Sequence, residues 1–220
     1  MKRPKLAGQE RKALILESAR VVFSRQGYAA ARTQEIARHA GVSEALMYRH
    51  FPSKEALYRA VLRQIIREQN ENYQILELTE YSARGLVLRL HDYFRIIASP
   101  GHTRMKEGFR LLLASIAGDG SYASLIYRRA QRKAVSATLA AMQAARNDGD
   151  LPARMLSPAN ISMFVEHVGT MLSSIAAMPQ SGKLYDGSIE QVADEALRFC
   201  CRGVGLTDEV IDRCLASRPL

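Results

Sequence analysis

Tyr48, Arg49 and His50 stand side by side in the stretch VSEALMYRHFPSKEAL, Val42–Leu57, and Lys54 follows just beyond Pro52 and Ser53. A phenol, a guanidinium, an imidazole and an ammonium in one short segment make a set of donors suited to phosphate oxygens and to base edges. The segment reads as the end of one helix, a sharp turn and the start of another. A helix of about two turns is marginal by itself, so its side chains need something outside the chain to complete their surroundings.

The elements that must position these groups are helical. No strand-like alternation and no Asn-Gly hairpin signal appears, and a 3.6-residue period dominates throughout. A first helix spans about Gln9–Gln26, with Ala13, Leu16, Ala19 or Arg20, and Phe23 on one face, and stops at Gly27. Thr33 is a candidate N-cap for a short helix, QEIARHA, that ends at Gly41. Ser43 caps the next, EALMYRH; Pro52 ends it, and Ser53 caps a fourth that starts at Lys54 and runs into the 70s. The turn between the second and third needs a residue tolerant of positive φ, which Gly41 supplies.

That arrangement is a helix-turn-helix. Ile36, Ala37, Val42, Met47 and Phe51 are spaced to pack inward, with Ala40 at the close approach. Glu44, Ala45, Leu46, Tyr48, Arg49 and His50 are left facing largely out. Leu46 beside Tyr48 suits a thymine methyl next to a phosphate. The start of the fourth helix, with Lys54, and Thr33 at the start of the second are candidates for phosphate contact. Thr33 and Ser53 also read as ordinary caps, and Lys54 as a solvated charge. Gln34 and Ser43, at the starts of the second and third helices, complete the candidate set.

Charge supports the anionic partner. The chain has 220 residues, 47% of them hydrophobic, and a net charge of +9. Met1–Arg67 holds 14 Lys and Arg against 5 Asp and Glu, while Glu68–Leu220 holds 17 against 17. All the net charge therefore lies in the first third, which points to nucleic acid or an anionic surface. No apolar run is long enough to span a membrane, and the basic N-terminus lacks the apolar segment of a signal peptide. The expected location is the cytoplasm. Cys200, Cys201 and Cys214 are odd in number and lack metal spacing, as expected of buried thiols in a reducing compartment.

Further helices are expected at about Ser82–Ser99, Thr103–Ala117, Tyr122–Arg146, Pro158–Met178, Ile189–Val204 and Asp208–Ala216. Pro100, GDG, NDGDLP and PQSG provide the stops. The expected fold is all-α, about ten helices. A helix-turn-helix head (9–53) precedes a larger helical domain (54–220), with the fourth helix, about 54–79, as connector.

At this point AARTQEIARHAGVSEALMYRHFPSKEAL, with ALILESARVVFSRQGYAA before it, resembles the DNA-binding segment of the TetR family of transcriptional regulators. The shared pattern is a threonine opening the second helix, an Ile-Ala pair, Ala-Gly-Val-Ser at the turn, a tyrosine before a His-Phe pair, and a lysine opening the fourth helix. The resemblance covers about Leu14–Leu57. It implies a homodimer with one helix-turn-helix per subunit on a palindromic operator in double-stranded DNA. It further implies a repressor released by a small-molecule effector, which the aromatic and histidine-bearing helices between Tyr73 and Met171 suggest is apolar or aromatic. Thr33, Tyr48, His50 and Lys54 would hold phosphates; Glu44, Ala45, Leu46 and Arg49 would lie nearest the bases, with Arg49 at the helix end also able to reach a phosphate. Two residues depart from the pattern. Glu44 stands where a basic or small polar residue is usual, and either accepts from a cytosine amino group or complements its own helix. Leu46 replaces a small or hydroxylated residue, so base preference cannot be carried over.

Past Leu57 the resemblance is architectural, although NDGDLPARM resembles the turn before the family's dimerisation helices. ANISMFVEHVGTMLSSIAAM and IEQVADEALRFCCRGV would then form the dimer face. Phe164, Val168, Met171 and Leu172 would supply apolar area, while Gly169, Ser173, Ala176 and Ala177 allow close approach. Two core helices within one subunit are the alternative. Tyr73, His91, Phe94, Phe109, Tyr127, Phe164 and His167 interrupt otherwise aliphatic helices and are candidates for an effector pocket as well as for core packing. No Ser-His-Asp order, nucleotide loop, paired-carboxylate pattern or Cys/His cluster is present, so no catalytic residue, metal or cofactor is expected. An enzyme built on His91 or His167 would lack a partner constellation. A nonspecific, architectural nucleic-acid binder is the alternative that the capped two-helix geometry disfavours.

Overall fold

The computed structural model describes residues 8–75, 78, 80–99, 103–118, 120–152, 154–176 and 184–217. The expected stops at Pro100 and PQSG lie outside them, as do Ala177, Met178 and the side chains of Tyr73 and Ala176. The described residues form ten helices and no strands: α1 Gly8–Ala30, α2 Thr33–His39, α3 Glu44–His50, α4 Lys54–Ile75, α5 Ala83–Ala98, α6 Thr103–Ala117, α7 Ser121–Asn147, α8 Pro158–Ala176, α9 Ile189–Val204 and α10 Asp208–Ala216. The all-α architecture is as expected. α1 is broken at Gly27, whose φ of 72° interrupts the helical path where the sequence placed its end.

The helices form two compact units, residues 1–71 with 107–124 and residues 72–106 with 125–220. The first unit is therefore larger than the segment 9–53 and is not continuous in the chain. It takes in most of α4, the greater part of α6 and the first turn of α7.

The core of the first unit is built from Ile15, Ala19, Val22 and Phe23 of α1, Ile36 and Ala37 of α2, Met47 of α3, Phe51 just beyond it, and Leu57, Tyr58, Val61 and Ile65 of α4. Phe23 meets Tyr58 edge-on, ring centroids 5.0 Å apart. Ala13, expected on the inner face of α1, is exposed, and so is Leu14, while Leu16 is half-buried. The face is rotated because Arg20 points inward and is fully buried. Its Nη1 lies 2.6 Å from Glu68 Oε2 of α4 and its Nε 2.7 Å from Glu107 Oε2 of α6. Gln64 donates to the other oxygen of Glu68 at 3.2 Å. Buried Ser115 then joins α6 to α7, its hydroxyl accepting the backbone N–H groups of Tyr122 and Ala123, both at 3.1 Å.

In the second unit α5 is the central helix. Its buried face, Leu86, Val87, Leu90, Phe94 and Ile97, joins one cluster with Val192, Ala193, Leu197, Cys201 and Val204 of α9 and Ile211 of α10. Ser188 and Gln191 form a reciprocal capping box on α9. The three cysteines are free and buried. Burial pushes the Cys200 thiol up to about 11 and Cys201 to about 12, which leaves little reactive thiolate at neutral pH. α8 approaches α5 at Gly169. A methyl group there would sit 2.2 Å from Tyr93 Oη and 2.6 Å from Ile97 Cδ1.

Arg20 carries a stability prediction. Removing one partner of a buried charge cluster strands the others, at a cost of about 3–5 kcal/mol. Arg20→Met should lose stability on that scale in denaturant unfolding followed by far-UV circular dichroism. The triple variant Arg20→Met, Glu68→Gln, Glu107→Gln should regain most of it. Equal losses in the two variants would show that packing, not charge, is what Arg20 provides.

Candidate nucleic-acid interface

The helix-turn-helix is built as its caps and turn dictate. Gly41 takes φ 66°. The turn is closed by Ala40 N–H donating to Ile36 O (2.9 Å) and Val42 N–H to Ala37 O (3.0 Å). Ser43 caps α3 by accepting from Leu46 N–H at 3.2 Å, and Ser53 caps α4 by accepting from Ala56 N–H at 3.0 Å. Thr33 does not cap α2. Arg32 occupies that position without a side-chain bond, and Thr33 is the first helical residue. Its hydroxyl instead donates to Glu44 Oε1 at 2.5 Å and accepts from Tyr48 Oη at 3.2 Å.

Gln34, Ser43, Ala45, Tyr48 and Arg49 are exposed, whereas Thr33, Glu44, Leu46, His50 and Lys54 are half-buried. All ten therefore belong to one two-helix element and its continuation into α4. Lys54 is more engaged than a free surface charge. Its Nζ donates to Ala29 O at 3.1 Å and lies 4.7 Å from the centre of the Tyr28 ring. Desolvation lowers its pKa from the ordinary lysine value. A hollow of about 700 Å³ has Arg32, Gln34, Arg38 and Glu44 on its walls. Arg32 and Arg38, both exposed, carry no motif signal in the sequence, although Arg32 precedes α2, Arg38 lies in its last turn, and both add to the positive balance of the head.

The candidate effector and dimer residues separate once their burial is known. Phe109 belongs to the first unit. In the second, His91 and Phe94 line one cavity of about 270 Å³, with Arg95, Glu190, Asp194 and Leu197. Tyr127 instead meets His167 edge-on, centroids 5.1 Å apart. Phe164 is 58% exposed and Met171 48%. Leu172 and Ser173 are buried, Gly169 is held against Tyr93 and Ile97, and Val168 packs against the core cluster, so these four face the interior of their own unit. The outward face of α8 is instead Phe164, His167 and Met171, at spacings of three and four. Phe199 of α9, absent from the residues singled out in the sequence, is 68% exposed. Its signal was phase: it falls between the buried pairs Ala196–Leu197 and Cys200–Cys201.

A polar group also lies within the second unit. Tyr93 Oη donates to Glu166 Oε2 at 3.3 Å, and Arg89 Nη2 donates to Thr138 Oγ1 at 3.3 Å. Thr170, one turn beyond Glu166, is 2% exposed, and its hydroxyl has no hydrogen-bond partner among the described residues. Desolvation raises the Glu166 pKa, against the smaller opposing effects of the Tyr93 bond and the Arg89 charge. Among the described residues no three His, Cys, Asp or Glu side chains gather as a metal site, and no helix is long and apolar enough to cross a membrane.

Fold and interface together define a helical protein with a helix-turn-helix head. Residues 15–61 match the family model described as bacterial regulatory proteins, tetR family. That match spans α1 to the start of α4 and takes in none of the second unit. It is 48% identical over 65 residues to the HTH-type transcriptional regulator RutR of Escherichia coli K12, a match covering 30% of each chain. This relative is thus matched over about a third of its length. A tetR-family protein from Rhodococcus RHA1 shares the fold across 90% of this chain and 99% of its own, with a TM-score of 0.67 at 19% identity. AibR, in complex with isovaleryl coenzyme A and operator DNA, does so across 86% and 97%, with a TM-score of 0.65 at 19% identity.

This geometry sets three expectations, two for the head and one for the second unit. Lys54→Ala should weaken all DNA sequences about equally and flatten the slope of log affinity against log salt by roughly one unit for each phosphate no longer held. Arg49→Ala should instead cost about 1–3 kcal/mol per base pair read on the preferred site and relax preference at one position. Titrations on single-base operator variants at two salt concentrations separate the two roles. The third expectation, for the second unit, concerns pH. With its pKa raised on folding, Glu166 binds more protons in the native state, so stability should fall as pH rises from the ordinary glutamate range through the raised value. Glu166→Gln should remove that fall, measured as the thermal midpoint against pH.

Proposed function

We propose that the protein is a sequence-specific transcriptional regulator that acts as a homodimer on a palindromic operator, repressing until a small-molecule effector releases it. The observation that carries the reading is the head itself. α2, the Gly41 turn and α3 present exposed Gln34, Ala45, Tyr48 and Arg49 together, in the third of the chain that holds all of the net positive charge. Two such heads must stand one helical turn of DNA apart, about 34–36 Å, to enter successive major grooves. A ligand that favours another spacing disfavours binding by its differential affinity for the two states.

Support for the dimer comes from Phe164, His167 and Met171 of α8 and Phe199 of α9. These side chains leave apolar area unburied on two helices of one unit. Support for an effector comes from the polar group of Tyr93, Arg89, Glu166 and Thr170 within α5 and α8, and from the likeness in fold to AibR, which was captured with both isovaleryl coenzyme A and operator DNA. An apolar or aromatic ligand with one polar end fits this mixture of groups.

Selection of bound genomic fragments should enrich one inverted repeat, and a scrambled competitor should not displace it. Compounds that raise the thermal midpoint should weaken binding to that repeat; stabilisers that never change DNA affinity would remove the release mechanism. Phe199→Glu, on an exposed side chain, should leave the helical signal intact while halving the sedimentation mass at micromolar concentration. A dimer unaffected by this variant and by Phe164→Glu would place the subunit contact elsewhere.

A further inference from the structure

Two hydroxyls that the family pattern assigns to phosphates are occupied within this head. Thr33 has a single hydroxyl proton, and it is donated to Glu44 Oε1 at 2.5 Å. Tyr48 likewise has one, and it is donated to Thr33 Oγ1 at 3.2 Å. A phosphate offers only acceptors, so neither hydroxyl can donate to DNA while this relay is formed. What the relay does is fix a carboxylate. It braces Glu44 on α3 through the first residue of α2, which is held in turn by the fifth residue of α3. Among the described residues the second oxygen, Oε2, accepts no hydrogen bond, and Glu44 is left half-exposed beside exposed Ala45.

A braced anion facing a polyanion is unfavourable unless it meets a donor. In the major groove the exocyclic amino groups are the donors. Guanine presents N7 and O6, and thymine presents O4, all acceptors that repel a carboxylate. Adenine offers its N6 amino group only beside the N7 acceptor. Cytosine N4 offers a donor without that neighbour and is the usual partner of Glu and Asp. We infer that Glu44 is the residue that selects cytosine at one position of each operator half-site, and that Thr33 and Tyr48 act as its positioning residues rather than as phosphate ligands. The inference rests on the regulator reading above. It adds which base is read and by what, and it explains how a chain with +9 net charge uses an acid on its recognition helix: the acid excludes guanine and thymine more than it attracts.

The test uses the full-length protein and a panel of duplexes carrying the enriched site with each base at every position. Wild type should prefer cytosine at one position per half-site by about tenfold or more over guanine or thymine. Glu44→Ala should flatten the profile at that position alone. Glu44→Gln should move the preference toward adenine, whose N6 and N7 match an amide. Thr33→Val, which keeps the shape and removes the hydroxyl, should retain cytosine preference with reduced discrimination and an unchanged salt slope. Thermal midpoints identify any variant that has lost its fold, and Thr33→Ser, which keeps the hydroxyl, should restore the wild-type profile. If Glu44→Ala tightens every duplex equally, the carboxylate is a repulsive charge only and the inference fails. If Thr33→Val loses about one unit of salt slope per subunit, Thr33 holds a phosphate and its positioning role fails. A wild-type protein that enriches no site fails the regulator reading itself, a separate result.

Discussion

A guanidinium without contact to water must have its charge answered on the spot, and in this protein that constraint organises the first unit. Arg20 is fully buried between Glu68 of α4 and Glu107 of α6. The two carboxylates are far apart in the chain, so the requirement is long-range by nature. It explains why α6 belongs with the head helices, and why α1 turns Arg20 inward and leaves Ala13 in solvent. Buried ion clusters add little net stability compared with apolar packing, but they tolerate few alternatives in register. A slip of α6 by one residue would leave Arg20 and Glu107 without each other.

Much of the head was legible because its determinants are local. Ser43 and Ser53 cap as expected, Gly41 takes the positive φ its turn needs, and α3 spans the seven residues read for it. Thr33 shows where local reading stops. Its type and place suggest a cap, yet its hydroxyl bonds to a carboxylate on the next helix, and no propensity encodes that choice. The same limit applies to α8. Its helical period was clear, but the phase that puts Gly169 and Ser173 inside and Phe164 outside depends on what α5 presents to it. The joining of 107–124 to the first unit was invisible for a related reason: its signal is a set of charges on distant helices.

The proposed recognition surface is held by bonds within the protein. A seven-residue helix does not hold its shape in isolation, and α3 is held by Met47 in the core, by the Ser43 cap and by the Tyr48–Thr33–Glu44 relay. Lys54 fastens the start of α4 to the end of α1 through Ala29 O and the Tyr28 ring, with further donors left on its ammonium. The side chains proposed to meet DNA are in this way already ordered by the protein itself, which would lower the entropy lost on binding.

The close approach at Gly169 has a consequence on the scale of descent. Position 169 has no room for a methyl group while position 93 carries a phenol and position 97 an isoleucine. Alanine at 169 requires the side chains at 93 and 97 to move aside or shorten. Shortening at 93 would also release Glu166 from its hydroxyl partner. Positions 93, 97, 166 and 169 are thereby linked, and among relatives that keep this helix pair a change at one should favour changes at the others.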